Sequence, residues 1–291
     1  MIYNNRKYSE YLKEKYGERV HKISLNAGFS CPNKNACIYC NNASFNYLKN
    51  SEPFTNIDIE TQIVNGIKFI KKRFKANKFI LYFQTNTNTN ASIDVLKNKF
   101  DIIYKFPDVI GLNISTRPDC VDDEILDLIC EYTKKYEVWL EYGLQSIHNK
   151  TLKLINRGHS FEDFEKAVIN TRDIGKNIKI CVHLIIGLPN ETEKDIMQSI
   201  DMMNHLKIDG IKLHPMHIVK NTVLADIYKI KNFEFNFFDI NDYIKILVKI
   251  LDKLDKKIII HGFSGYCPKN ILIEPKWLSN RDTVILELKK Y

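Results

Sequence analysis

No stretch of this 291-residue chain approaches the roughly 20 consecutive apolar residues of a membrane-crossing helix, so no segment reads as a span. The opening MIYNNRKYSEYLKEKYGERV is polar and charged and lacks the apolar core of a secretory signal. There are only seven cysteines, an odd number in a long chain, which argues against the disulfide framework of a small secreted protein. In a reducing compartment, clustered cysteines more often bind metal or do chemistry, and a cytoplasmic location is the expectation. Tandem repeats and low-complexity linkers are also missing.

What is present is the composition of a soluble globular enzyme, 44% hydrophobic and 27% charged. The length suits one large domain or two small ones. The formal net charge of +8 is compatible with a polyanionic partner such as RNA, although a lysine-rich composition also arises without one. The densest basic run, KFIKKRFKANK (68–78), reads either as a solvated helix face or as a strip of phosphate contacts.

Short β-branched runs alternate with segments of helical spacing along most of the chain. Expected strands cover 22–28, 78–85, 109–116, 138–146, 178–188, 210–217 and 257–263. Expected helices cover about 56–76, 91–105, 121–135, 149–155, 161–175, 192–206, 222–228 and 239–255. Asp122 and Asp123 open one of them, and Ser160 with Asp163 gives the pattern of a capping box. Such alternation predicts an α/β fold of parallel strands joined by right-handed crossovers. Seven or so units suggest a partial or near-complete (β/α) barrel, with its chemistry at the C-terminal ends of the strands. Those ends carry QTNTNTN, STRPD, EYGLQS, HLIIGLPNET, HPMH and HGFSGY, and the first strand runs straight into a cysteine-rich loop. One domain spanning 1–291 is expected, with a helix in 1–20 and a C-terminal cap over 264–291.

The loop SCPNKNACIYCNNASF (30–45) holds Cys31, Cys37 and Cys40. A structural zinc site wants four nitrogen or sulfur ligands, and no His or Cys in the next twenty residues supplies a fourth. A redox dithiol would use Cys37 and Cys40 and leave Cys31 surplus. Three thiolates suit an iron–sulfur cubane that leaves one of its four irons open. Cys120, Cys130 and Cys181 are scattered and read as packing residues, whereas Cys267 at a strand end is a candidate second reactive thiol.

Three cysteines with an aromatic residue before the last, just after the first strand of a β/α barrel, resemble the radical S-adenosylmethionine (SAM) superfamily. LEYGLQSIHNKTLKLINRGHS (140–160) resembles the E-x-G-x-Q-S and R-G-H stretch of the radical SAM half of the Elongator catalytic subunit, which is related to oxygen-independent coproporphyrinogen oxidase. HLIIGLPNET (183–192) and NISTRPD (113–119) resemble further motifs of that group, and the YhcC/YtqA-type group is similar over nearly the whole chain. The resemblance implies an oxygen-sensitive enzyme with a [4Fe–4S] cluster on Cys31, Cys37 and Cys40 and S-adenosyl-L-methionine on the open iron. It implies that Tyr39 lies near the adenine and that Gln84, Thr85, Asn86 and Thr87 face the methionyl amino group. It further implies that Gln145 binds the ribose, that Arg157 pairs with the methionyl carboxylate, and that Thr116, Arg117, Glu141 and His183 line the same mouth. Other readings stand beside these: Glu141 as a structural partner of Arg117, Arg157 as a surface residue at a helix end, and His183 as a satisfied core histidine. His214 and His217 are candidate substrate or adenine contacts.

The departure from the family is the short PNKNA spacer between Cys31 and Cys37, where similar proteins carry a longer glycine-rich insertion. An acetyltransferase domain, a cysteine-rich extension and an RNA-binding appendage are not recognisable. The resemblance implies modification of a tRNA wobble-uridine side chain, with tRNA as partner and flavodoxin or ferredoxin as electron donor, and neither membrane nor DNA as partner. Radical chemistry on a small metabolite or a protein is the alternative within the family. A non-catalytic zinc-binding RNA protein is the alternative outside it.

Overall fold

The computed structural model describes residues 5–41, 58–230, 233–236 and 238–290. The last part of the cysteine stretch (42–45) and the expected helix start at 56–57 lie outside these residues. Seven parallel strands are ordered β1-β2-β3-β4-β5-β6-β8 in one sheet: β1 (Val20–Leu25), β2 (Lys78–Phe83), β3 (Val109–Thr116), β4 (Glu137–Gln145), β5 (Lys179–Ile186), β6 (Gly210–Pro215) and β8 (Ile259–Gly262). Each strand matches an expected run to within a few residues, because every run is β-branched and bounded by turn residues. Between them run α2 (Ile59–Phe74), α3 (Ile93–Phe100), α4 (Asp123–Thr133), α5 (Asn149–Leu154), α6 (Phe161–Asp173), α7 (Glu193–His205), α8 (Val223–Lys229) and α9 (Ile240–Lys253). The sheet is a partial barrel. Among the described residues, β1 and β8 each have one strand neighbour, and Ile260 of β8 donates its backbone N–H to the Arg6 carbonyl at 2.9 Å.

Helix starts follow the sequence chemistry. Asp122 accepts from the Ile125 N–H at 2.9 Å, and Ser160 and Thr192 form capping boxes with Asp163 and Asp195. Each such cap stabilises its helix by about 1 kcal/mol. The outer apolar layer, including Phe83, Phe100, Leu126, Ile129, Leu140 and Phe164, is buried between sheet and helices. Each such side chain contributes about 1.5–3 kcal/mol relative to exposure.

The inner face is layered. Its lower layer is apolar: Val20, Ile80, Trp139, Cys181 and Ile259 meet Tyr8, Tyr11 and Leu12 of α1 (Tyr8–Tyr16), which closes that end. The Tyr11 hydroxyl donates to Glu137 at 2.7 Å, and Lys15 reaches the same carboxylate. Toward the C-terminus, β7 (Ile218–Val219) and β9 (Leu272–Glu274) form an antiparallel ribbon, and α10 (Thr283–Leu288) packs Val284 and Leu288 into the outer core.

The basic run 68–78 lies at the closed end. Lys71 pairs with Asp108 just before β3, Arg19 just before β1 donates to the Phe74 carbonyl, and Lys78 pairs with Glu18. The C-terminal turn of α2 thus lies at the end of the barrel opposite the cysteine loop.

Candidate active site

The cysteine loop leaves the C-terminal end of β1 and crosses to the loop after α5. Backbone bonds run from the Ile38 N–H to the Ile155 carbonyl at 3.1 Å and from the Leu224 N–H to the Ile38 carbonyl at 2.8 Å. The Asn33 side-chain amide donates to the Asn156 and Arg157 carbonyls at 2.8 and 3.0 Å and lies 3.1 Å from the Cys37 sulfur. Gly158 sits at φ +78° with a side chain's place already filled, since a Cβ there would lie 2.8 Å from Asn33 Oδ1. The glycine of the R-G-H stretch thus allows the two loops to clasp.

No disulfide joins any of the seven cysteines. Burial, then Cys37, then Cys31, push the Cys40 thiol up to about 11, which places the three loop sulfurs in one another's electrostatic reach. They are not packed as tightly as the ligands of a single ion. Among the described residues, Glu141, Cys181 and His183 are the one trio of His, Cys, Asp or Glu whose ligand atoms all lie within 4.8 Å of one another. Sulfurs around one zinc, at about 2.3 Å from the metal, lie roughly 3.8 Å apart.

Arg157 is buried and not a surface residue. Its Nη2 and Nε donate to the Gly143 carbonyl at 2.6 and 3.2 Å, and its Nη1 is 3.9 Å from the Cys37 sulfur. His159 Nε2 lies 3.2 Å from the same carbonyl. A Cβ on Gly143 would lie 2.8 Å from Arg157 Nη2 and 3.0 Å from Gln145 Nε2, so Gln145 folds back beside Arg157. Gln145 itself has φ +77°. Arg117 donates to the Arg157 carbonyl at 2.8 Å and forms a two-pronged pair with Asp119 at 2.9 and 2.8 Å. The expected Arg117–Glu141 pair is corrected: two residues of separation let Arg117 fold onto Asp119 at the strand end, while Glu141 points inward one layer deeper.

The turn Gln84–Thr85–Asn86–Thr87 is tied to the approach of the cysteine loop, with Asn86 donating to the Phe29 carbonyl at 2.8 Å. Thr85 and Thr87 are buried, and the Thr116 hydroxyl is 2.5 Å from that of Thr89, joining the ends of β2 and β3. Tyr39 packs against an apolar cluster with Ile38, Leu152, Ile155, Leu188 and Met216.

Glu141 and His183 form a separate layer below the loop. Glu141 has no solvent exposure. Its Oε1 receives Asn113 Nδ2 at 2.7 Å and Lys22 Nζ at 3.2 Å, and His261 Nδ1 lies 3.5 Å away. Its Oε2 receives the Tyr82 hydroxyl at 2.8 Å, faces His183 Nε2 at 2.8 Å and has Lys212 Nζ at 3.9 Å. These partners come from β1, β2, β3, β5, β6 and β8, which is direct evidence of the sheet's curl. Burial opposes ionisation of Glu141, but Lys22, Lys212 and the imidazoles of His183 and His261 hold its carboxyl well below the usual range. Burial and Lys212 push His183 down to about 4, and burial likewise lowers His261 to about 3 and keeps His214 well below the usual range. Cys267 is fully buried, and its thiol is pushed up to about 11, so it lacks the environment of a reactive thiol.

Lys22, Tyr82, Asn113, Lys212 and His261 escaped sequence reasoning. Their signal is faint: polar residues at alternate positions of otherwise apolar strands, as in KISL and IKLH. Glu191, buried at the end of GLPNE, was also missed. The Ser146 hydroxyl donates to it at 2.5 Å, tying the Q-S end of β4 to the turn after β5.

Comparison with known proteins gives a consistent picture. The family described as "Radical SAM superfamily" matches residues 25–203, and the "Radical_SAM C-terminal domain" matches residues 208–290. The chain is similar to Protein YhcC of Escherichia coli K12, 36% identical over 287 residues, covering 96% of this chain and 89% of that protein. It is 35% identical over 124 residues to the tRNA uridine(34) acetyltransferase of Methanocaldococcus infernus, covering 41% of this chain and 22% of that protein. Among solved structures, M. infernus Elp3 lacking residues 1–46 superposes with a TM-score of 0.70 at 19% identity. That likeness covers 93% of this chain and 63% of the other and speaks for the fold.

Proposed function

Because this chain belongs to the Radical SAM superfamily, we propose that its cysteine loop is the seat of a [4Fe–4S] cluster and of S-adenosylmethionine. The observation that carries this reading is the Cys31–Cys37–Cys40 loop itself, clasped by the R-G-H stretch at the C-terminal ends of the strands. The residues fit the group: three thiols outside any disulfide, set wider than the ligands of one ion, with no fourth protein ligand needed. Held by Cys31, Cys37 and Cys40, such a cluster would supply the one-electron reduction of S-adenosylmethionine that radical hydrogen abstraction from a substrate requires.

The chain's own groups prepare that site. Asn33 and Arg157 direct N–H groups at the Cys37 sulfur. Arg117, fixed by Asp119, holds the Arg157 carbonyl and hence the angle of the R-G-H turn. Arg157 keeps Nη1 on the side of the loop and is the group we assign to the methionyl carboxylate, with Gln145 beside it for the ribose. Ile38, Tyr39 and their apolar neighbours exclude water from one flank.

The substrate we assign is a tRNA wobble uridine carrying a modified side chain. Two supports stand behind this: the similarity to proteins whose names specify tRNA uridine(34), and the +8 charge. Anaerobic reconstitution tests the cofactor assignment. About four irons and four sulfides per chain are expected, with 5′-deoxyadenosine released on reduction with S-adenosylmethionine. One zinc per chain and no nucleoside would overturn it. Mass spectrometry of tRNA nucleosides from a deletion strain and its parent tests the substrate, and identical profiles would overturn that assignment.

A further inference from the structure

We infer that Tyr266 and Arg281 form a platform on which an unpaired nucleobase of single-stranded RNA stacks, at the rim of the barrel's open end; this deepens the reading above and rests on it. The chain after β8 stays at that end. A Cβ on Gly265 would lie 3.2 Å from His214 Nδ1, near the end of β6, and the His214 and His183 ring centres are 5.6 Å apart. Tyr266 comes next and is 38% exposed. The Arg281 guanidinium lies over its ring, 4.1 Å from the centre, closer than any other cation–ring pair among the described residues.

The pair is held in place from below. Cys267, the residue after Tyr266, is buried with Val219, Leu272 and Leu278. Its N–H reaches the carbonyl of Leu278, three residues before Arg281, at 3.5 Å. Ring and guanidinium are thus brought together by a shared core, and a platform fixed in advance binds with little ordering cost. The pair is also electrically open. Arg6 and Arg172 pair with Glu14 and Asp209, but among the described residues no carboxylate forms an ion pair with Arg281, neighbouring Asp282 included. Lys220 and Lys269 are exposed and likewise form no ion pair with the described residues. The Lys220 carbonyl accepts from Asn41 at 2.7 Å, and its N–H donates to the Ile271 carbonyl at 2.9 Å. These contacts lead from the cysteine loop to the segment that carries Tyr266.

A ring with a stacked guanidinium offers π surface and positive charge together. A nucleobase matches the first and its phosphates the second. An acidic protein surface would use the charge and leave the ring idle. Because Tyr266 is exposed at the rim, the base it takes is a neighbour of the nucleotide that enters the barrel.

Fluorescence anisotropy on the full chain tests this with a labelled uridine heptamer against the same ribose–phosphate chain without bases. The unchanged protein is expected to bind the uridine heptamer about tenfold more tightly. Tyr266→Leu should remove most of that preference and leave the salt slope unchanged, since the ring touches no phosphate, whereas Tyr266→Phe should keep both. Arg281→Gln should lower the salt slope by about 0.7. A measurement on the unchanged protein guards against misfolded variants: irradiated 5-iodouridine heptamer should crosslink to the peptide that carries Tyr266. Equal affinity for the two oligomers overturns the proposal and leaves a face that attracts negative charge alone, as an acidic protein would supply. A preference that survives Tyr266→Leu, or a crosslink only elsewhere, overturns it while the RNA assignment stands. Failure of both oligomers to bind overturns it together with that assignment. None of these results bears on iron content or 5′-deoxyadenosine release.

Discussion

Glu141 shows how much one residue can depend on its surroundings. In water its carboxylate would cost nothing to ionise. At zero exposure it stays charged because Lys22, Lys212, His183 and His261, with the hydrogen bonds from Asn113 and Tyr82, replace the lost solvent. Glu141→Ala leaves two half-buried ammonium groups facing no anion and is expected to cost about 3 kcal/mol. The thermal midpoint of the metal-free protein should fall by several degrees, and an unchanged midpoint would refute the ion cluster. Glu141→Gln, which keeps hydrogen bonding and removes only the charge, should cost less. Cys37→Ala makes the matching prediction for the loop above: fold retained, with iron content and 5′-deoxyadenosine release both lost. A variant that keeps its full iron content would exclude Cys37 as a ligand.

Strand β4 illustrates the element scale. Its inner face reads Trp139, Glu141, Gly143, and these three positions serve the seal, the ion layer and the cysteine loop in turn. Gly143 has no side chain because Arg157 and Gln145 occupy that space. Gly143→Ala is expected to push the guanidinium off the Gly143 carbonyl. A bond from a charged donor contributes about 1.5–3 kcal/mol, so the KM for S-adenosylmethionine in 5′-deoxyadenosine release should rise about tenfold or more, with the fold intact by circular dichroism. An unchanged KM would separate Arg157 from cofactor binding.

For the whole molecule, the histidines set the acid response. His159 and His183 are held at about 4 and His261 at about 3 by burial, against about 6.5 in an unfolded chain. The unfolded chain therefore takes up protons first, and stability should fall as pH drops from about 6.5 to about 4. Glu141 adds a further loss below about 4.3, because its folded form resists protonation. Urea midpoints measured at pH 7, 6 and 5 should decline in that order, and a flat profile would refute the buried neutral imidazoles. The placement of α2 makes a further prediction. With its basic turn at the closed end, changing Lys71, Lys72 and Arg73 together to serine should leave the salt dependence of tRNA retention unchanged. A slope reduced by about three would return that face to the interface.

The order of strands and helices, the helix caps at Asp122 and Ser160, and the trio Cys31, Cys37 and Cys40 were legible in the sequence. Each depends on local chemistry: β-branched runs, side chains that bond the nearest free N–H groups, and thiols nine positions apart at most. The partners of Arg117 and Glu141 were not legible, nor was the end of the barrel that carries Lys68–Lys78. Those depend on which residues a curled sheet brings face to face. Lys22 and Lys212 are 190 positions apart in the chain, and no local pattern makes them converge on one carboxylate. Closure of the sheet does so, because alternate residues of every strand point to the same interior.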